Sequence, residues 1–303
     1  KLHTRLFHTL RKLCRQLGKL PTQYDLSKRE LGPDDVLSLV SKEAVAWGGF
    51  ANVWLGQYKK QQVAIKVFRI PEHADVHTIE KSYCREAVLW RHLSHPNVTP
   101  FIGIDNNLFT LAVVSRWMPN GSINAYLKAS PSSNRPRLLV EIAQGLEYLH
   151  SNGVLHGNVK GSNVLIDDEF HACLADFGLS EVSYDPNTAN AISMSSVCNG
   201  SVRWMAPELL VPEEAGFEHA RTSPETDIYS LSMLMWEVFT GRMPFYRVHD
   251  ARVSIFVDRG NRPERPAAAT TLGLSDEVWA LMETCWCTDH RKRPRIRPVL
   301  HAL

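Results

Sequence analysis

The chain has 303 residues, 34 basic and 32 acidic, for a net charge of +2, with 44% hydrophobic and 22% charged residues. That length buries a large core, in one two-lobed domain or two small ones. The near-zero charge gives no global basic field and so no case for a nucleic-acid partner, and no run approaches the roughly 18 apolar residues of a spanning helix.

The most apolar stretch, SLSMLMWEVF, is short and carries Glu237. No segment has the pattern of a secretory signal. The six cysteines are scattered apart from Cys285-Trp286-Cys287, which lacks the second pair of a zinc site. Reduced thiols and a cytoplasmic location are the expectation. A first residue other than Met points to a piece of a longer protein.

In residues 1–20, Leu6, Leu10, Leu13, Leu17 and Leu20 recur at helical steps among six basic residues and no acid. The spacing predicts an amphipathic helix that docks in cis, with partner binding as the alternative. Pro21 and Gly32-Pro33 mark a linker, so 1–40 is set apart from 41–303. From about residue 41 the texture is strand-like: EAVAWGGFANVWLGQYKKQQVAIKVFRI alternates apolar and polar around a glycine turn and a Gly56-to-Gln62 turn. TIEKSYCREAVLWRHL has helical period, and LFTLAVVSRWM is an apolar strand ended by Pro119-Asn120-Gly121. From SINAYL onward the segments LLVEIAQGLEYLH, TDIYSLSMLMWEVF and DEVWALMETCW read as helices. Strands first and helices after is the α+β pattern.

Motifs follow in a fixed order. A small-residue turn, Ala46-Trp47-Gly48-Gly49-Phe50-Ala51-Asn52-Val53, precedes Lys66 in VAIK and then Glu86 in the helical stretch. LHGNVKGSNVLI follows, then Asp176-Phe177-Gly178, Ala206-Pro207-Glu208, Asp227 and Arg293-Pro294. This order resembles protein kinases over residues 41–303. The resemblance implies a bilobal fold: a small β-rich N lobe with one main helix over 41–115, then a hinge and a larger helical C lobe over 116–303. It implies ATP and Mg²⁺ as cofactors and a protein substrate or partner. Gly48 and Gly49 would lie over the phosphates, with Ala46 and Ala51 replacing two of the family's three glycines. Lys66 would hold phosphates and pair with Glu86. Ser115 would be the gatekeeper, backbone groups of Arg116, Trp117 and Met118 would meet adenine, and Val53, Ala64 and Leu165 would sandwich it. Lys160 would face the terminal phosphate, and Asn163 and Asp176 would hold the metal.

The departure lies in the loop. His156 and Asn163 keep the family spacing, but Gly157 stands in the Arg slot and Asn158 in the Asp slot. An Asn oxygen still accepts a hydrogen bond, yet it takes no proton and carries no charge. A lost general base is worth 10² to 10⁴ in rate, which implies residual turnover on the order of 10⁻⁴ to 1 per second. Gly157 removes the arginine that reads activation-segment phosphate in many kinases, so the hydroxyls at Ser183, Tyr184, Thr188, Ser195 and Ser196 are not expected to act through position 157. HGNV resembles the pseudokinase domains of Janus kinases. GGFANVW, KGSNVLI and RWMAPELL are more similar to tyrosine-kinase-like serine/threonine kinases of a fungal group, in which His-Gly-Asp is common and only Asn158 is a loss. The leading expectation is a pseudokinase that binds ATP and Mg²⁺. The alternatives are a slow serine/threonine kinase and an interaction module without nucleotide.

Overall fold

A computed structural model describes residues 24–26, 36–47, 51–69, 83–84, 87–177 and 200–303. The expected helix over residues 1–20, Gly48, Gly49, Glu86, Gly178 and the hydroxyls between 180 and 199 lie outside the described residues. The described residues divide into two compact units: those up to His95 with Thr99–Met118, and Pro96–Val98 with residues 119–177 and 200–303.

The small unit is built on an antiparallel sheet of β1 (Ser38–Leu39), β2 (Ala46–Trp47), β3 (Ala51–Tyr58), β4 (Gln61–Phe68), β5 (Phe101–Asp105) and β6 (Ala112–Arg116). The strand order is β1-β3-β4-β6-β5, with β2 also on β3. The β3–β4 turn is tighter than the sequence implied. It is two residues, Lys59 and Lys60, both at positive φ (49° and 62°), the backbone that matches strand twist in a two-residue hairpin. Strand β5 went unread in the sequence. It is short and opens on a register shift between Phe101 and Gly103, which breaks the alternation.

Register decides what each face carries. Val53 pairs with Lys66 and Leu55 with Ala64; Ala64 pairs with Ser115 and Lys66 with Val113. Cross-strand partners share a face, and residues two apart share it too. So Val53, Ala64, Lys66 and Ser115 occupy one face. The opposite face supplies Val63, Ile65, Ala112 and Val114 to a core completed by Leu26, Leu37 and Tyr58, with Trp54 and Val67 against it. Leu26 and Leu37 precede residue 41, so the core of this unit reaches further back than the expected boundary. Helical residues 83–84 and 87–91 lie in the same unit, where Tyr83 donates its hydroxyl to the Ala112 carbonyl at 3.0 Å.

The large unit contains α1 (Ile123–Ala129), α2 (Arg135–Ser151), the hairpin β7 (Val164–Ile166) and β8 (Ala172–Leu174), α3 (Pro207–Leu210), α4 (Pro224–Thr240), α5 (Asp250–Asp258), α6 (Asp276–Cys285) and α7 (Ile296–Ala302). Helix α2 starts where the Asn134 side chain accepts from the Arg137 amide. Helix α4 starts at a Ser223–Thr226 capping box with Pro224 in its first turn, and stops at Gly241, φ 66°. Every residue from Thr226 to Phe239 in α4 is buried. That explains the apolar run: a helix apolar on all sides is a core helix when it is this short. Among the described residues no helix is long and apolar enough to cross a membrane. Cys84, Cys173, Cys285 and Cys287 are free thiols.

Leu26→Ala tests whether the segment before residue 36 belongs to the folded unit. A fully buried leucine truncated to alanine costs about 2–5 kcal/mol; chemical denaturation that shows no loss would place Leu26 outside the core.

Candidate active site

The expected site residues are positioned separately by the two units. In the small unit, β2 and β3 bracket residues 48–50, with Ala46 opposite Val53 and Trp47 opposite Asn52. Lys66 sits on the central strand β4, 7% exposed, with Nζ 5.2 Å from the Phe68 ring centroid. The Lys66–Glu86 pairing lies outside the described residues with Glu86. At the end of β6 the three expected adenine-facing positions separate. The Arg116 amide donates to the Pro100 carbonyl (3.1 Å) and the Trp117 amide to Gln62 (3.3 Å). Both donors are spent inside the sheet, so the Met118 amide is the one left to serve a base edge.

In the large unit the β7–β8 hairpin does the assembling. Val164 pairs with Leu174, and the Ala175 amide donates to the Asn163 carbonyl at 2.9 Å. Asn163 therefore enters the hairpin where Asp176 leaves it. Leu165 is on β7, opposite Cys173. The Asn163 Nδ2 donates to the Asn158 carbonyl at 2.8 Å, which fixes the amide and identifies Oδ1 as its acceptor end; the Ser162 hydroxyl lies 3.3 Å from that atom. Asp176 has φ 56°, a left-handed conformation that Asp tolerates better than most residues. An amide oxygen and a carboxylate at one hairpin end suit a hard, oxygen-seeking cation such as Mg²⁺. Among the described residues no cluster of three His, Cys, Asp or Glu offers a softer metal site.

The loop that holds Asn158 is gripped from below. Asp227, 1% exposed, accepts from the His156 amide (2.9 Å), the Gly157 amide (2.7 Å) and His150 Nε2 (2.8 Å). These bonds hold Gly157 at φ 71°. A glycine takes that conformation without penalty, whereas any other L residue is strained there. The Gly in the Arg slot therefore has a conformational consequence besides the lost side chain. His156 is fully buried, its Nδ1 3.3 Å from the Asn158 amide and its ring edge-on to Phe177 at 6.2 Å. Burial pushes its pKa down, against the pull of Asp227.

Lys160 donates to the Ser201 hydroxyl at 2.7 Å. Burial lowers its pKa, while the carboxylates of Asp176 and Glu237 draw it back up. Further on, Glu208 and Arg293 form a buried two-pronged pair at 2.6 and 2.8 Å. Sequence reading missed His150 as an Asp227 partner, since a helix histidine carries no distinguishing neighbour. It also used Glu237 only as a charge that breaks an apolar run. A carboxylate amid the other nine residues of SLSMLMWEVF was itself the signal of a buried, fully bonded group.

Comparison with known proteins assigns the family. The profile of the protein tyrosine and serine/threonine kinase family matches residues 39–303. This chain belongs to that family. It is 30% identical over 264 residues to serine/threonine-protein kinase STY46 of Arabidopsis thaliana, covering 86% of this chain and 42% of the relative. It is 29% identical over 284 residues to serine/threonine/tyrosine-protein kinase HT1 of the same plant, covering 91% and 68%. It is 28% identical over 300 residues to mitogen-activated protein kinase kinase kinase 13-A of Xenopus laevis, covering 97% and 28%. The chain thus spans less than half of STY46 and of the Xenopus kinase.

Two outcomes follow from the loop. Gly157→Arg forces a residue with a Cβ into left-handed backbone and lowers stability by about 1–2 kcal/mol in a denaturant titration. His156 stays neutral in the fold below its ordinary value of 6.5, while the unfolded chain takes up a proton there. Its share of stability is therefore complete above that pH and drains away below it, by up to about 1.4 kcal/mol per pH unit. The fall in melting temperature between pH 7.5 and 5.5 should be smaller in His156→Gln than in the natural chain.

Proposed function

We propose that this kinase domain is a pseudokinase that binds ATP with Mg²⁺ and acts in signalling through the conformation it presents to a protein partner. One observation supports the reading: an amide, Asn158, stands where the motif order puts the family's catalytic Asp, in a loop where Lys160 bonds Ser201 and Asn163 bonds the Asn158 carbonyl. In this reading Lys66 and Lys160 neutralise phosphate charge, Asn163 Oδ1 and the Asp176 carboxylate hold Mg²⁺, and Met118 offers its amide to the adenine edge. Val53, Ala64 and Leu165 supply apolar contact to the base, beside the small Ser115. Gly48 and Gly49 let backbone approach the phosphates. Nucleotide binding does not use the base and survives its loss, whereas transfer, which also needs positioning and electrostatics that remain, falls by about 10² to 10⁴.

A second reading, a slow serine/threonine kinase, is favoured by the 2.7 Å Lys160–Ser201 bond. In it the Asn158 amide oxygen orients the substrate hydroxyl and water takes the proton.

Saturating ATP with Mg²⁺, at 100 times its dissociation constant, should stabilise the domain by about 2.7 kcal/mol, seen as a rise in melting temperature that Asp176→Ala loses. No rise at millimolar ATP and Mg²⁺ would leave an interaction module without nucleotide. Transfer from labelled ATP separates the other two readings. Asn158→Asp should gain about 10² to 10⁴ over the natural chain; equal rates would make the natural chain an active kinase.

A further inference from the structure

Glu237 sits in the last turn of α4, 4% exposed, and its carboxylate accepts from three separate segments. Asn124 Nδ2 of α1 donates to Oε1 at 2.7 Å. The Gly161 amide donates to Oε2 at 2.9 Å, and the Trp204 indole donates to the same oxygen at 2.8 Å. Gly161 follows Lys160 directly, and Trp204 closes the short helical turn that starts beyond Ser201 (its amide donates to the Ser201 carbonyl at 3.0 Å). The two ends of the Lys160–Ser201 bond are thus anchored on a single carboxylate, one residue beyond Lys160 and three beyond Ser201.

The packing around that carboxylate is closed. A Cβ placed on Gly161 would lie 2.4 and 2.6 Å from the amide atoms of Asn124 and 2.7 Å from Glu237 Oε1. Contacts that short force the neighbour to move. Position 161 must therefore be glycine for Asn124, Glu237 and the loop amide to meet at once. Burying a carboxylate is costly unless its oxygens are bonded, and here both are; two of the three donors, Gly161 and Trp204, belong to the segments that carry Lys160 and Ser201.

We propose that Glu237 is a positioning residue that fixes Lys160 against Ser201, and so sets where the Lys160 ammonium meets the terminal phosphate; Gly161 and Asn124 complete the clamp. The last step rests on the nucleotide-binding reading above. The clamp acts through geometry. A glutamine at 237 keeps one oxygen for Gly161 and Trp204 and turns an amide toward Asn124, whose exposed side chain can rotate to offer Oδ1.

The test is the affinity for ATP and for ADP, with Mg²⁺, of the natural chain and of Glu237→Ala, Glu237→Gln, Asn124→Ala, Gly161→Ala and the Gly161→Ala/Asn124→Ala double variant, beside the exchange rate of the Gly161 amide. Only ATP carries the phosphate that Lys160 would meet. Glu237→Ala should weaken ATP about tenfold, with ADP within about twofold, and Glu237→Gln should restore most of the loss. Asn124→Ala, which removes one exposed-side bond and leaves the fold intact, should have a smaller effect. Gly161→Ala should be rescued by adding Asn124→Ala, a coupling that independent sites do not show. The Gly161 amide should exchange faster in Glu237→Ala than in Glu237→Gln. Equal loss of ATP and ADP, a glutamine variant no better than alanine, or no rescue of Gly161→Ala would overturn the proposal. If the natural chain binds neither nucleotide, the nucleotide reading fails, and amide exchange and the Gly161–Asn124 coupling in thermal stability still decide whether the clamp exists.

Discussion

The buried carboxylate of Asp227 is the interaction on which the large unit's site depends. It takes two consecutive loop amides, His156 and Gly157, and a helix histidine, His150, from α2. A carboxylate this deep is tolerable only because all of its charge is answered by donors. In return it ties the loop to α2 and α4 and imposes the left-handed turn at residue 157. The geometry of Asn158, Lys160 and Asn163 descends from that turn. Glycine at 157 makes the turn free of strain, so losing the family's arginine has also removed a cost.

A second carboxylate on the same helix, ten residues further along, does comparable work for the other end of the loop. Asp227 and Glu237 together hold residues 156, 157 and 161 from beneath through backbone amides. Amides are indifferent to side-chain identity, so such a brace can keep its shape while the residue at 158 changes from acid to amide. This is the physical reason a kinase loop can lose its base and retain its scaffold. The hairpin β7–β8 contributes separately, by bringing Asn163 and Asp176 to one end through a single register.

In the small unit the governing constraint is strand alternation. One face of β3, β4 and β6 is committed to the core by Ile65, Val63 and Val114. That commitment forces Val53, Ala64, Lys66 and Ser115 to the other face. A one-residue slip in register would exchange the two sets, so the core and the residues proposed to meet nucleotide are fixed by the same pairing.

Much of this was legible in the chain itself. The two long strands, the helices α2, α4 and α6 and the motif order could be read because periodicity and local spacing are properties of neighbouring residues. So could the chemical loss at Asn158, since an amide takes up no proton wherever it lies. The bulged strand β5 was not readable, because its irregular register breaks the pattern that marks a strand. The spent amides of Arg116 and Trp117, the left-handed turn at Gly157, and the meeting of Asn124, Gly161 and Trp204 on Glu237 were not readable either. Those contacts join residues up to 113 positions apart, and which distant donor reaches a buried carboxylate is settled only when the helices pack and leave it no water to bond.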